Sequence, residues 1–121
     1  FLEKYGKEAV WKVDTAFFGI RSDPSRRGMI TGIGVENFHP GALTAGVICG
    51  ILDELHEQYE QMCKLTGKKT TRLAGSGNGI RRNPLMRKLA EEMFGMPMYV
   101  SEYEEEAECG AALCAGKVLT K

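Results

Sequence analysis

The chain has 121 residues with no net formal charge, 43% hydrophobic residues and 26% charged residues. This composition is typical of a globular domain, and a chain of this length can bury about two-thirds of its unfolded surface. The absence of net charge argues against a basic surface for nucleic acid or for an anionic membrane, and no apolar run approaches the ~20 residues that span a bilayer.

The chain begins with Phe1 and shows no secretory leader pattern. We therefore expect it to be a processed chain or a piece of a larger protein, with essential residues upstream. Its four cysteines form no C-x-x-C pair and favour reduced thiols in a cytoplasmic protein. They are Cys49, Cys63, Cys109 and Cys114.

The first third of the chain is typical of an antiparallel hairpin. Residues 8–13 fit a short strand or the end of a helix. Residues 15–20 and 28–35 have the composition of strands, and the turn signal Asp23-Pro24-Ser25 lies between them.

A long helix is predicted from Pro40 to about Leu65, with Gly67 as its stop signal. His39 is expected to cap this junction, although a position facing a cleft stays open. The apolar residues at helical spacing predict the inward face. They are Leu43, Val47, Ile48, Ile51, Leu55, Tyr59 and Met62.

Two strands and two helices are predicted in the second half. A buried strand over residues 71–74 precedes a helix over 84–94, with Asn83 as N-cap, Pro84 as first helical residue and Gly95 as stop. The inward residues of this helix are predicted to be Leu85, Met86, Leu89, Ala90 and Met93.

A strand over residues 98–100 leads into a last helix over about 104–118. Ser101-Glu-Tyr-Glu104 matches a capping box at its start. One face of this helix has small side chains, which would let it lie close to a sheet or to another helix. The small residues are Ala107, Gly110, Ala111, Cys114 and Ala115.

The predicted order is therefore β-β-α-β-α-β-α. The last two strands alternate with helices, which favours a parallel pair joined by a right-handed crossover. Together with the antiparallel hairpin, this order predicts an α/β fold with one mixed sheet and flanking helices.

The glycine-rich turn over residues 75–79 is the strongest functional signal. It lies between a strand and a capped helix, where free N–H groups and the helix dipole favour an anion. It is not a dinucleotide-binding fingerprint, because Ile80 stands where the third glycine would be. Nearby positive charge favours the ligand interpretation, while a purely structural connector stays open. The basic residues are Arg81, Arg82 and Arg87.

The acidic run over residues 102–108 has two interpretations. It could be a catalytic carboxylate cluster, but acidic residues are also favoured in the first turn of a helix, and we favour this second interpretation.

An ordered set of motifs over residues 15–117 resembles the C-terminal domain of the FGGY carbohydrate kinases. The glycine loop is most similar to that of the sedoheptulokinase branch. The motifs are Phe17-Phe-Gly-Ile-Arg-Ser-Asp-Pro24, Arg27-Gly-Met-Ile-Thr-Gly-Ile33, His39 with the long helix, Gly75-Ser-Gly-Asn-Gly79, Asn83-Pro-Leu-Met-Arg87, Gly95-Met-Pro97 and Glu105-Glu-Ala-Glu-Cys-Gly-Ala-Ala-Leu113.

The resemblance implies transfer of the γ-phosphoryl group of ATP, with Mg²⁺, to a hydroxyl of a sugar or polyol. It implies a partial ribonuclease-H-like (actin-like ATPase) fold. Residues 1–121 would be the C-terminal nucleotide-binding domain, lacking its own N-terminal part and the sugar-binding domain. Such a piece alone is expected to be inactive.

The resemblance also implies the nucleotide contacts. The first three loop residues would lie near the α-phosphate and ribose, and those up to Asn83 around the adenine. The implied set is Gly75, Ser76, Gly77, Asn78, Gly79 and Asn83. No catalytic or metal-binding residue is assigned, because the family's catalytic aspartate lies upstream and neither Asp14 nor Asp23 matches its motif.

The implied partners are the sugar or polyol and the N-terminal domain of the same protein, in the cytoplasm, with a homodimer left open. Ala45-Gly46 and Cys49-Gly50 stand where many members have Arg-Ala and Glu-Gly. Sedoheptulose, xylulose, glycerol and further polyols therefore all stay open as substrates. A noncatalytic actin-like module also stays open, as does a small α/β binding domain whose glycine turn is structural.

Overall fold

The computed structural model describes residues 2–103 and 105–119, without the side chains of Glu3, Val118 and Leu119. The chain divides into two compact units, with the boundary between Lys68 and Lys69. The first contains α1 (Leu2–Tyr5), a 3₁₀ turn (Lys7–Ala9), β1 (Lys12–Asp14), β2 (Met29–Thr31) and α2 (Pro40–Thr66). The second contains β3 (Leu73–Gly75), α3 (Asn78–Arg81), α4 (Pro84–Phe94), β4 (Met98–Val100) and α5 (Glu106–Leu119).

The described residues form two separate two-stranded sheets, in place of the one mixed sheet that was predicted. β1 and β2 pair antiparallel, with Val13 opposite Ile30. β3 and β4 pair parallel, with Ala74 opposite Tyr99, which confirms the predicted parallel pair. All four strands have three residues.

The first strand of the antiparallel pair lies earlier in the chain than predicted. Residues 15–20 contain turns, and the strand-like composition was misleading there. The Asp14 carboxylate accepts from the Ala16 N–H at 3.0 Å, and Gly19 has a φ of 79°. These local contacts turn the chain directly after β1, and they leave Phe18 fully exposed.

The core of the first unit lies between β1 and α2. Trp11, Val13 and Ala42 are its buried centre, and Leu43 and Val47 pack against it. The indole N–H of Trp11 donates to the backbone oxygen of Asn37 at 3.1 Å, which fixes the ring beside the start of α2.

The buried residues of α2 are mostly small. The predicted inward face is confirmed in part, because Leu43 and Val47 pack against the core. A Cβ added at Gly46 or Gly50 would lie well inside 3.0 Å of the backbone oxygen of Trp11 or Val13. The helix therefore contacts the strand backbone directly at these two glycines. Leu55 and Met62, which were predicted to face inward, are more than half exposed.

Both ends of α2 lie close to where the sequence predicts them. His39 is the N-cap, and its Nδ1 accepts from the Gly41 N–H at 2.8 Å, which confirms the predicted capping role. At the other end Gly67 has a φ of 67°, and its N–H donates to the Cys63 oxygen. This left-handed glycine ends the helix.

The second unit is built around α4. Leu89 and Ala90 are its buried residues, as predicted, whereas Leu85 is exposed. Glu91 reaches from the end of α4 and accepts from the Met98 N–H at 2.8 Å, which ties the helix to the first residue of β4.

The last helix begins later than predicted. Ser101 Oγ accepts from the Tyr103 N–H at 3.2 Å, and α5 starts only at Glu106. Glu104, the second partner of the predicted capping box, lies outside the described residues. The small-residue face of α5 is exposed.

The four cysteines are free. In the ranges that the structure describes, no helix is long and apolar enough to cross a bilayer.

Candidate functional site

The glycine loop, residues 75–79, lies where a parallel strand passes into helical structure. β3 ends at Gly75, and α3 is a single helical turn that begins after Gly77. Arg82 follows α3, and Asn83 then caps α4. The four residues from Ser76 to Gly79 are exposed, whereas Gly75 is buried.

The structure accounts differently for the presence of glycine at each of the three positions in the loop. A Cβ at Gly75 would lie 2.7 Å from Met98 Sδ and 2.8 Å from Ile80 Cγ2, so packing excludes a side chain there. Gly77 has a φ of 84° and a ψ of 160°, a conformation that essentially only glycine adopts. Gly79 has no positive φ, and a Cβ there would meet nothing within 4 Å. Neither packing nor backbone strain within the chain therefore explains Gly79.

A carboxylate of the chain itself occupies the predicted anion position. The Gly77 N–H donates to Glu106 Oε2 at 3.3 Å. The helix directly after Gly77, α3, has only four residues and cannot supply a sizeable dipole, whereas the predicted dipole is that of α4, which has 11 residues. The prediction that this N–H is free for a ligand anion is therefore wrong for Gly77.

The positive charge of Arg81 is paired with the same Glu106 carboxylate. Its Nη2 donates to the backbone oxygen of Tyr103 and to Glu106 Oε1. About one-fifth of each charged side chain is exposed. Within the described part of the chain, Arg81 Nε is buried without a hydrogen-bond partner, so the guanidinium is oriented by its Nη2 contacts alone.

These contacts set the charge state of Glu106. Partial burial favours the protonated form, but the hydrogen bonds from the Gly77 N–H and from Arg81 outweigh it and lower the pKa of Glu106. The carboxylate is therefore ionised at neutral pH and keeps both of its contacts.

Asn83 has the structural role that the sequence predicts. Its Oδ1 accepts from the Met86 N–H at 3.0 Å and caps α4, with Pro84 as the first helical residue. Among the residues that the structure describes, no hydrogen-bond partner is found for the amide nitrogen of Asn83. One half of the side chain fixes the helix, and the other half is a donor at the end of the loop.

Sequence reasoning missed Glu106 as a residue of this site. It assigned the acidic run to the helix dipole alone. The signal was nevertheless present, because the carboxyl ends of two adjacent parallel strands meet at the same edge of a sheet. The loop after β3 and the start of α5 after β4 must therefore lie close together.

The early aspartates are engaged in local contacts. Asp14 Oδ2 accepts from Arg26 Nη2 at 2.6 Å, and Asp23 Oδ1 accepts from the backbone N–H and the hydroxyl of Ser25. The bond from Arg26 is the main reason that the pKa of Asp14 is lowered. Across the described ranges, no group of three His, Cys, Asp or Glu side chains could hold a metal ion.

The comparison with protein families gives a match over nearly the whole chain. The family model described as "FGGY family of carbohydrate kinases, C-terminal domain" matches residues 9–119. Neither the curated proteins nor the solved structures contain a match to the chain. The family implies an actin-like ATPase fold, and the small sheets and flanking helices described above have the mixed α/β character of that class. The chain thus belongs to the FGGY family of carbohydrate kinases and corresponds to its C-terminal domain.

Proposed function

We propose that the chain is the nucleotide-binding part of an ATP-dependent carbohydrate kinase. The observation that carries this proposal is the family match over residues 9–119. In this function the γ-phosphoryl group of ATP passes to a hydroxyl of a sugar. The chain would act with an N-terminal part and a sugar-binding domain of the same protein, in the cytoplasm.

The nucleotide is proposed to lie on the glycine loop. Gly79 supports this position, because the surface over it is open and none of the residues that the structure describes requires a glycine there. A glycine is expected where a ligand approaches the backbone closely. Ser76 and Asn78 are exposed polar residues on either side of Gly77. Together with Gly75 and the free amide nitrogen of Asn83, they complete the proposed contact set.

The charges of the loop favour the nucleoside end of ATP over its phosphates. The Glu106 carboxylate lies against the Gly77 N–H, and a phosphate placed there would meet a like charge. The adenine and ribose are uncharged and can pack against glycine backbone. We therefore place the adenosine on the loop and the triphosphate beyond it.

Mg²⁺ is expected to accompany ATP in this family. Magnesium binds through one or two carboxylates together with substrate phosphates and water. The described residues offer no cluster of metal-binding side chains, so we assign no magnesium ligand and no step to this chain.

The sugar is proposed from the form of the glycine loop alone. The sequence Gly75-Ser-Gly-Asn-Gly79 favours sedoheptulose, and xylulose, glycerol or another polyol could take its place. A coupled assay of the protein that carries this chain, with ATP and each of these acceptors, tests both the kinase activity and the choice of sugar. Activity with sedoheptulose supports the finer proposal, and activity only with another acceptor replaces it. No ATP consumption with any acceptor would refute the kinase proposal.

A binding measurement on the chain tests the loop. Gly79→Ala adds a methyl group that meets nothing within 4 Å, and alanine is favoured over glycine in a helix, so the fold should be kept. We expect ATP affinity to fall about tenfold, as titration calorimetry or NMR would measure, because the methyl group occupies the space of the ligand. Gly110→Ala is the matched control, since it also adds a methyl in open space on a helix. Equal ATP affinity for both variants would place the nucleotide elsewhere.

A further inference from the structure

We propose that Glu106 and Arg81 are positioning residues that hold the glycine loop in the shape that receives the nucleoside. This inference rests on the proposed function for its ligand. It adds a role for two residues that would themselves touch no reacting atom.

The contacts of Glu106 join two elements that are distant in sequence. One carboxylate oxygen accepts from the Gly77 N–H at 3.3 Å, and the other accepts from Arg81 Nη2. Gly77 is the N-cap of α3, and Arg81 is the last residue of that helix. A single side chain from the first turn of α5 therefore contacts both ends of α3, the one-turn helix that begins within the loop.

Arg81 extends this connection to the segment before α5. Its Nη2 also donates to the backbone oxygen of Tyr103. A guanidinium is a rigid, planar donor, so two acceptors on different residues determine its orientation. The buried Arg81 Nε has no partner among the residues described, which is unfavourable for stability.

Gly75 is buried, but the rest of the loop is exposed and needs such support. α3 is a single turn, and an isolated helix of that length is not stable on its own. Ser76 to Gly79 are exposed, and no atom would lie within 4 Å of a Cβ at Gly77 or Gly79. Without the contacts to Glu106 the loop would sample other conformations, and a ligand would have to bear the entropic cost of ordering it.

NMR of the ¹⁵N-labelled chain without ligand tests the positioning role directly. We expect Glu106→Ala to speed amide exchange at Gly77 by about three- to tenfold, the range for a partly exposed, charge-assisted hydrogen bond. Glu106→Gln keeps an oxygen for the Gly77 N–H but loses the charge. It should therefore speed amide exchange less than Glu106→Ala does, and it should disturb the fold less. Glu108→Gln removes a neighbouring exposed carboxylate and is the control. Unchanged exchange at Gly77 in both Glu106 variants would overturn the proposal.

The second measurement is ATP affinity. We expect ATP to bind about three- to tenfold more weakly to Glu106→Ala and to Arg81→Lys, and equally to Glu108→Gln. In the kinase assay the KM for ATP should rise while the KM for the sugar stays constant, which a general loss of structure would not produce. Tighter ATP binding by Glu106→Ala would overturn the positioning role, because the carboxylate would then be a competitor of the nucleotide. If the protein that carries this chain consumes no ATP with any acceptor, the proposed function fails, whereas the exchange rates still decide whether Glu106 holds the loop.

Discussion

Substitutions of Asn83 can test its capping role and its proposed ligand-binding role separately. Its Oδ1 caps α4 through the Met86 N–H, while its amide nitrogen is the proposed donor to the nucleotide. Asn83→Ala removes both groups. Asn83→Asp keeps a favoured capping oxygen and removes only the donor.

The size of each effect follows from these contacts. Loss of an N-cap costs about 1 kcal/mol, which lowers the melting temperature of a domain of this size by about 3–6 °C. Asn83→Ala should show this loss. Asn83→Asp should melt at the original temperature or slightly above it, because a negative charge is favourable at a helix N-terminus.

ATP affinity should follow a different order from stability. Asn83→Asp loses one hydrogen bond and adds a negative charge beside an anionic ligand, so we expect affinity to fall by about tenfold or more. Circular dichroism melts and titration calorimetry on the same samples measure both quantities. A stable Asn83→Asp variant with unchanged ATP affinity would refute the ligand role. An unchanged melting temperature for Asn83→Ala would refute the cap.

Three further substitutions test the packing, the loop backbone and an ion pair. Gly50→Ala should destabilise the first unit by about 1–3 kcal/mol in denaturant melts, because its Cβ would press on the backbone of β1; full stability would contradict this close contact. Gly77→Ala should cost about 1–3 kcal/mol because of its backbone angles, whereas Gly79→Ala should not, and equal melting of the two variants would argue against the loop conformation. The lowered pKa of Asp14 means that its pair with Arg26 stabilises the fold above pH 3.8 and is lost as the pH falls through the folded-state pKa. Asp14→Asn should therefore lower stability at pH 7 and flatten the acid side of the stability profile, and parallel profiles for the two proteins would exclude this contribution.

The helix ends were predictable because their chemistry is local. His39 and Asn83 cap the two central helices, and Gly67 and Gly95 end them with positive φ values. A cap requires only a side chain and an N–H a few residues apart, which a sequence shows directly. The bounds of α2 and α4 accordingly agree with the predicted bounds within one or two residues.

The inward face of α2 was predictable only in part, since Leu43 and Val47 pack against the core as expected. Hydrophobic periodicity gives most weight to large side chains such as Leu55 and Met62, yet both are mostly exposed. The contact is set by how closely the helix approaches β1, and Gly46 and Gly50 permit the shortest distance. The distance between helix and strand depends on tertiary packing. A strand of three residues is too short for its sequence pattern to reveal how closely a helix packs on it.

Of the candidate site, the sequence predicted the position of the loop but not its internal charges. The glycine spacing and Asn83 correctly marked a turn between a strand and a capped helix. The pairing of Glu106 with Gly77 and Arg81 depends on which strands are neighbours. The predicted parallel pair already implied that neighbourhood, but the acidic run was interpreted from its own residues alone.

The Gly77 N–H donates to a carboxylate of the chain itself, and this contact distinguishes the loop from a phosphate-binding loop. In a phosphate cradle the backbone N–H groups point at the ligand and are satisfied only when it binds. Here the Gly77 N–H and the Arg81 Nη2 are already engaged by Glu106, so the loop shape does not depend on an incoming anion. Such a loop offers a preformed surface of exposed glycine backbone, which suits the flat, uncharged faces of a nucleoside. If the proposed nucleotide site is correct, the loop is shaped before the nucleotide binds, and the affinity for the nucleotide should depend on how well Glu106 maintains that shape.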